Sequence, residues 1–406
     1  MPLPAPASPT GLRRLEILIL LGILTAFAPL SIDMYLPAMP DLARYFAVSE
    51  GDVQFTMATF FLGFALTQSI YGPIVDRFGR KPPLYFGLLL YAGSSAACAL
   101  APSIRALDGF RLIQATGACA GPVIARAMVR DLFPPQQTRR VYSLLILVMG
   151  TAPIVAPLAG GYLLIWAGWK AIFWTLALAG ALCCAAAFFR LPETLPPGPS
   201  IALREVGRTY KSLLQDRLVL SVAFASAFSA AGMFAYIAGS PFVFITLYGV
   251  KPEHFGWLFG LNALGLVACA QVNGFGLQSH RPESLMRYAA SVQCIAGLML
   301  VGAAALQSPL SGIAAPLFFY LSAVGFISPN ALTLALADHG GVAGMTSALL
   351  GTIRFSMGAI VTMALGAIPG SSAMPMAWII GVCGSLGLLT LLLLGRPSRR
   401  MVHVHG

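Results

Sequence analysis

Apolar residues in this chain come in long unbroken stretches separated by short polar gaps. Twelve such runs follow one another, at about 15–38, 53–75, 84–102, 104–132, 138–165, 169–190, 218–248, 253–278, 284–306, 311–337, 342–368 and 375–395. A helix crosses the apolar part of a bilayer with about 20 residues, so the pattern predicts twelve spanning helices. The longer runs imply tilt, or ends that reach into the interface. The first run, "LRRLEILILLGILTAFAPL", has a basic start and a small-residue Ala26-Phe27-Ala28 stretch like a cleaved leader. Its apolar character continues into "SIDMYLP", so a retained first helix is expected.

Composition sharpens this picture. The chain has 406 residues, of which 58% are hydrophobic and 10% charged, against about 25% charged in soluble domains. Its mean hydropathy is +0.81. The expected class is an all-α polytopic membrane protein.

Net charge is +11, and its placement sets the topology. Of 25 Lys and Arg residues, 19 fall in alternate gaps and the run ends beside them, both chain ends included, 4 fall at the intervening ones, and 2, Arg111 and Arg354, lie deeper inside runs. Positive residues stay on the cytoplasmic side, so both termini are expected there. The same distribution excludes nucleic acid as the partner. These cations serve topology and lipid headgroups.

The longest polar interruption, "RLPETLPPGPSIALREVGRTYKSLLQDR", divides six runs from six. Its second part is patterned as a short amphipathic helix on the inner membrane surface. The organisation expected is a cytoplasmic tail (1–14), an N-terminal six-helix bundle (15–190), a cytoplasmic linker (191–217), a C-terminal six-helix bundle (218–395) and a second tail (396–406). Two joined six-helix halves are a common transporter architecture. The 42 glycines and 29 prolines fit helices that pack closely and rock.

The chemistry of other classes is missing. All 7 cysteines lie in apolar runs, where they behave as small hydrophobes. The 5 histidines lie in loops or tails with no paired metal spacing. No His/Asp/Glu cluster, Ser/His pair or phosphate loop is present, so neither an enzyme nor an ATP-driven pump is expected. No cofactor is expected.

An ionisable residue inside a span is a functional candidate by default. Asp33 stands in "SIDMYLPAMP", near the outer end of the first run. Arg111 lies about two turns inside the outer end of the fourth, with Asp108 three residues before it. Arg354 falls near mid-bilayer in the eleventh and needs an acid, a set of carbonyls or an anionic ligand. After the second run comes "GPIVDRFGRKPPL". Gly72 and Asp76 share a helix face, Gly79 permits the turn, and Arg77, Arg80 and Lys81 crowd it. The acid is placed to meet the positive start of a neighbouring helix near Val342, and the cations to meet Asp131 or phospholipid. In the fifth run, "GTAPIVAPLAGGYL" sets Pro153 and Pro157 one turn apart and follows them with Gly160 and Gly161.

These stretches carry a resemblance. The 72–84 loop resembles the signature loop of the major facilitator superfamily, with Ile74 in place of the usual Leu. The Arg-x-x-Gln-Ala-x-Gly run at Arg111 is similar to its fourth-helix motif, and the Pro/Gly run of the fifth helix to the motif associated with antiporters. With "SIDMYLPAMP", "ARAMVRDL" (which includes Arg126 and Asp131) and "SPFVFITLYGVKPEHFGWLFGLNALG", the chain resembles the bicyclomycin/chloramphenicol-resistance branch of twelve-helix drug:proton antiporters. Arg354 departs from that branch, where a neutral polar residue is usual.

The resemblance implies two pseudo-symmetric six-helix bundles around a central cavity, and export of small compounds by alternating access. Asp33 would bind and release a proton as its exposure changes between the two faces, and Arg111 would stabilise its carboxylate when close. Met34, Tyr35, Phe234, Tyr236, Phe242, Phe326, Asn330 and Arg354 are the candidate cavity lining. One acid against two arginines favours neutral or weakly acidic amphipathic cargo over lipophilic cations. A proton-coupled symporter or metabolite exporter on the same scaffold is the alternative. The expected partners are protons, small molecules and lipid, with the protein a monomer in a bacterial cytoplasmic membrane.

Overall fold

The computed structural model describes residues 11–195, 203–277, 279–368 and 372–394. Most of the expected N-terminal tail, all of the C-terminal one, the middle of the linker and the side chains of Arg139 and Arg140 lie outside these. The helices are α1 (Gly11–Asp33), α2 (Met39–Phe46), α3 (Glu50–Phe78), α4 (Lys81–Ala99), α5 (Ile104–Leu132), α6 (Pro135–Ala167), α7 (Trp169–Arg190), α8 (Leu203–Gln215), α9 (Arg217–Pro241), α10 (Pro252–Gln271), α11 (Pro282–Ala305), α12 (Leu310–Leu336), α13 (Ala343–Ala367) and α14 (Met374–Leu394). No strand occurs among the described residues.

Local chemistry sets several boundaries. Ser49 and Asp52 form a capping box at the start of α3. Ser103 caps α5 by accepting from the Ala106 N–H at 3.2 Å. Gly79 joins α3 to α4 at a φ of 86°, a conformation that favours glycine.

Among the described residues, eleven segments are long and apolar enough to cross a membrane. The twelfth, α4, opens on Lys81-Pro82-Pro83 and carries Ser94 and Ser95. It packs between α5 and α7, so its hydroxyls meet protein. Ser94 donates to Leu90 O at 2.6 Å and Ser95 to Tyr91 O at 2.6 Å.

In the first half α4 lies against α5 and α7, α3 against α5, and α1 against α5, α6 and α7. In the second, α11 packs on α12 and α14, and α9 on α12, α13 and α14. Two seams join the halves, α3 with α13 and α6 with α10. We call the end where α1 begins basal and the opposite end distal. At the distal end a Cβ on Gly51 would collide with the Gly366 carbonyl, and one on Gly161 would press on Pro252 O. Backbones meet there with no side chain between them.

The structure divides three of the predicted runs. The run at 15–38 ends as a helix at Asp33 and turns through a 3₁₀ segment, Leu36–Ala38, into α2. Pro37 and Pro40 lack the N–H that would continue the ladder. The run at 218–248 changes at Pro241 to π-helical turns, Phe242–Leu247, and the run at 253–278 ends in a π segment, Val272–Gly276. The amphipathic part of the linker forms α8.

Candidate functional site

Asp33 is the last residue of α1 and is buried, with 3% of the residue exposed. Among the described residues, no hydrogen-bond donor or cation engages its carboxylate. Tyr236 of α9, in the opposite half, lies within electrostatic range of it. Tyr236 Oη accepts from Asn262 Nδ2 of α10 at 2.9 Å, and its ring stacks on Phe259 at 5.3 Å. The chain just beyond Asp33 sits where the halves join. The Leu36–Ala38 turn packs on α6, α9 and α10. A Cβ on Gly160 would strike the Met34 carbonyl. Thus the Gly160-Gly161 pair of α6 touches the break in α1 on one side and Pro252 of α10 on the other. Pro153 and Pro157 stand in the same helix, toward its middle.

Arg111 is wholly buried but does not pair with Asp33 or with Asp108. Its Nη1 donates to Ser31 O at 3.0 Å and to Gln114 Oε1 at 2.7 Å, and Nη2 reaches Met57 Sδ at 3.3 Å. The guanidinium carbon lies 4.7 Å from the Tyr35 ring centre and 4.4 Å from that of Phe60. Asp108 approaches Arg105 instead, at 3.5 Å. The expected proximity of Arg111 to the end of α1 is present, but through a backbone carbonyl. Carbonyl, amide and ring faces engage a cation that a carboxylate was expected to hold, and its Nε is left without an acceptor.

The other lining candidates divide into two groups. Tyr35 is enclosed in the first half, its Oη bonded to Thr56 Oγ1 at 2.8 Å and its ring 5.6 Å from Phe173. Phe234 instead joins a cluster that spans the α3/α13 seam. It lies 4.4 Å from Phe61 and 5.3 Å from Phe355, which itself lies 4.4 Å from Phe64. Met34 and Phe242 are buried and Phe326 is partly so. Asn330 Nδ2 donates to Asn273 Oδ1 and to Phe326 O, both at 2.8 Å. Arg354 occupies the middle of α13, partly buried, beside Phe355.

The basal loop is a separate network centred on Arg80, whose side chain is 6% exposed. Arg80 binds Asp76 at 2.7 Å, Asp131 at 2.8 Å and Val75 O at 3.2 Å. Burial works against its charge, but Asp131 and Asp76 outweigh it and raise its pKa. Asp76 was expected at the start of the helix near Val342; the nearer Arg80 takes it. Asp131 also accepts from Thr194 Oγ1 at 2.8 Å. Glu193 closes the loop by accepting from the N–H groups of Arg80 and Lys81, each at 2.9 Å. Arg77 lies over Phe78, and Gly72 meets nothing within 4 Å. Arg126 Nε donates to Pro122 O at 2.9 Å. Glu193 and Thr194 escaped the sequence reading, although "PET" directly after a helix end was a usable signal. Among the described residues no three His, Cys, Asp or Glu side chains are grouped to hold a metal.

The geometry has counterparts among known proteins. The family model of the Major Facilitator Superfamily matches residues 21–363. The chain is 37% identical to the uncharacterized MFS-type transporter YdgK of Bacillus subtilis (strain 168), over 94% of this chain and 96% of that one. It is 33% identical to the bicyclomycin resistance protein homolog of Haemophilus influenzae, over 91% and 93%. The crystal structure of a D-xylose–proton symporter superposes with a TM-score of 0.74 at 15% identity, over 94% of this chain and 97% of that one, a likeness of fold. Twelve spanning helices in two bundles, the Arg80 loop and these relatives together make the chain a multi-pass membrane transporter of the Major Facilitator Superfamily, in the branch of the bicyclomycin-resistance proteins.

Proposed function

We propose that this protein is a proton-coupled efflux antiporter that expels small amphipathic compounds, neutral or weakly acidic, by alternating access. One observation carries the reading. Asp33 is a buried carboxyl group without a counter-ion among the described residues, at a helix break that packs on both halves. A proton gained or lost there changes the charge of the junction itself. The protonated acid suits a closed apolar junction. The ionised one requires water or a cation, and the halves must part to provide either. Cargo and proton then oppose each other through one structural element, which is what coupling requires.

The basal face, with its excess of Lys and Arg, is assigned to the cytoplasm of a bacterium and the distal face to the outside. Backbone contacts at Gly51–Gly366 and Gly161–Pro252 close the distal side, so the conformation is read as inward-facing. An entering proton supplies about 2.3 kcal/mol per 100 mV. At about 1.4 kcal/mol per tenfold ratio, this sustains accumulation of some tens-fold.

The test uses everted membrane vesicles with an imposed pH gradient and a panel of amphenicol-like and weakly acidic compounds. A transported compound is expected to dissipate the gradient in vesicles that hold the protein and not in vesicles that lack it. Transport with the gradient untouched would make the protein a uniporter, and a panel in which organic cations alone respond would overturn the cargo class.

A further inference from the structure

Arg111, Arg126 and Arg354 lie inside helices, and they differ in how they are satisfied. Arg111 binds a carbonyl, an amide and two ring faces. Arg126 binds the Pro122 carbonyl. Arg354 binds nothing among the described residues; its Nε, like that of Arg111, is shut away from solvent without an acceptor.

Its setting is interior. Gly358, one turn on along the same face, lies so close to Phe234 that a Cβ there would strike the ring. Met363, 37% exposed, lies on the opposite side of the helix by the 3.6-residue period. The next residue, Phe355, carries the aromatic cluster of the α3/α13 seam. Snorkelling to an interface is closed to a side chain at mid-helix that faces inward.

Every acid that might serve Arg354 is engaged or apart. Asp108 approaches Arg105; Asp76 and Asp131 share Arg80; Asp216 faces His339 at 3.1 Å. Asp33 makes no ion pair with Arg354. A guanidinium inside a membrane protein is costly when unpaired, so an acceptor from outside the chain is called for. A second buried atom points the same way. Gln68 Oε1 has no partner, and its amide abuts Gly351, one turn basal to Arg354. A guanidinium fork, a free amide oxygen and the Phe64, Phe234 and Phe355 rings together suit one ligand chemistry: an aromatic ring that bears a carboxylate and a hydrogen-bond donor.

We infer that Arg354 is an anion-binding, specificity-determining residue, and that the cargo site accepts small aromatic monoanions, with Gln68 taking a hydrogen bond from the ligand. The inference rests on the exporter reading and narrows its cargo class.

The probe is salicylate, with salicylamide as its uncharged counterpart, measured by thermal shift and equilibrium binding on the purified full-length protein in detergent. Sodium chloride and a short-chain phosphatidylglycerol at matched concentration serve as further arms. Saturable salicylate binding is expected, with salicylamide at least tenfold weaker and neither chloride nor the lipid displacing salicylate. Arg354→Gln is expected to weaken salicylate at least tenfold, and Arg354→Lys by less. Equal affinity for salicylate and salicylamide, or equal salicylate affinity in wild type and Arg354→Gln, overturns the inference. So does displacement by chloride or by the lipid, which would assign the cation to that anion instead. If Arg354→Gln does not purify in a monodisperse form, the wild-type comparison of the two probes decides alone. Binding needs no pH gradient, so intact binding without export sinks the exporter reading and spares this one.

Discussion

Arg111 Nη1 donates to the carbonyl oxygen of Ser31 at 3.0 Å, and by that bond holds the last turn of α1 two residues before Asp33. The same guanidinium binds Gln114, whose Nε2 passes the chain of bonds on to Ser95 Oγ at 2.8 Å. The cation thus sets the position of Asp33 without neutralising it. Alanine at Arg111 leaves two buried oxygens unpaired, at about 1–3 kcal/mol each, and a void between Tyr35 and Phe60. Lysine cannot bind both oxygens in one plane or stack between the rings. Arg111→Ala is expected to cost about 3 kcal/mol or more of stability and Arg111→Lys less, both with lost export. Melting curves in detergent check the first effect and vesicle transport the second. A wild-type melting temperature for Arg111→Ala contradicts the positioning role.

Asp33→Asn keeps the shape of the side chain and removes the proton site. The neutral amide suits the buried position at least as well, so expression and melting temperature should stay near wild type. Concentrative export should vanish, with internal and external cargo levels equal at steady state. Wild-type-level drug resistance in cells that express Asp33→Asn would remove this residue from the mechanism.

How much of this was legible beforehand follows from what each feature depends on. Hydropathy along the chain fixes which residues sit in lipid, so α5 at 104–132 and α7 at 169–190 coincide with their predicted runs. It does not record which hydrogen-bond register an apolar backbone adopts. The end of α1 at Asp33 and the π turns after Pro241 therefore vanish into continuous apolar runs, although Pro37 and Pro40 marked the first. The ionisable residues were visible because few charges enter the spans. Their partners were not, because Ser31 is 80 positions from Arg111 and the tie runs through a main-chain oxygen that any residue type offers. The Phe61, Phe64, Phe234 and Phe355 cluster was hidden for a related reason. Aromatic residues are common in every span, and only the packing of α3 and α9 on α13 brings these four together.

The Arg80 network yields a prediction about the basal loop. Arg80→Gln leaves Asp76 and Asp131 facing one another with no cation between them. Removing one partner of a buried ion pair costs about 3–5 kcal/mol, but Asp76 is half exposed, so a loss of about 1–3 kcal/mol is expected. Asp131→Asn should cost less, because Thr194 and Arg80 can still bond to the amide oxygen. Adding Asp76→Asn to Arg80→Gln should recover part of the loss by removing the repulsion. Melting temperatures of the single and double variants test this order, and additive losses would contradict it.

Asp216 caps α9 and gives a pH dependence. Its Oδ1 accepts from the N–H of Leu218 at 2.8 Å and of Val219 at 3.2 Å, and its Oδ2 lies 3.1 Å from His339 Nε2. Burial works against the charge. The bonds from His339 and the two N–H groups outweigh it, and the carboxyl group titrates below the ordinary aspartate range. A lowered folded-state pKa means that the stabilisation is full above the ordinary value, about 4, and is lost as pH falls through the folded-state value. Asn also caps helices well, so Asp216→Asn isolates the charge at a helix N-terminus, about 0.3–1 kcal/mol. The deficit of Asp216→Asn relative to wild type should be present at about pH 5 and shrink as pH falls below about 4. A deficit that grows on acidification would assign the contact another role.

The closed distal seam depends on glycine at a position where a side chain has no room. A Cβ on Gly51 would fall on the Gly366 carbonyl, and one on Gly366 would press back on Gly51 O. Neither atom is the end of a flexible side chain, so the backbones of α3 and α13 must separate to admit a substituent. Gly93 of α4 meets nothing within 4 Å and serves as the control. Gly51→Leu is therefore expected to shift the population toward the outward-open form, and Gly93→Leu to leave it unchanged. Met34→Cys reports the shift, because Met34 is 5% exposed and lies at the helix break behind the seam. On the wild-type background that cysteine should resist a membrane-impermeant maleimide added outside. With Gly51→Leu it should react at least tenfold faster, which corresponds to about 1.4 kcal/mol transferred from the closed to the open form. Equal labelling rates would mean that the contact does not hold the distal side closed, and the seam that governs access to Asp33 would then be the one between α6 and α10.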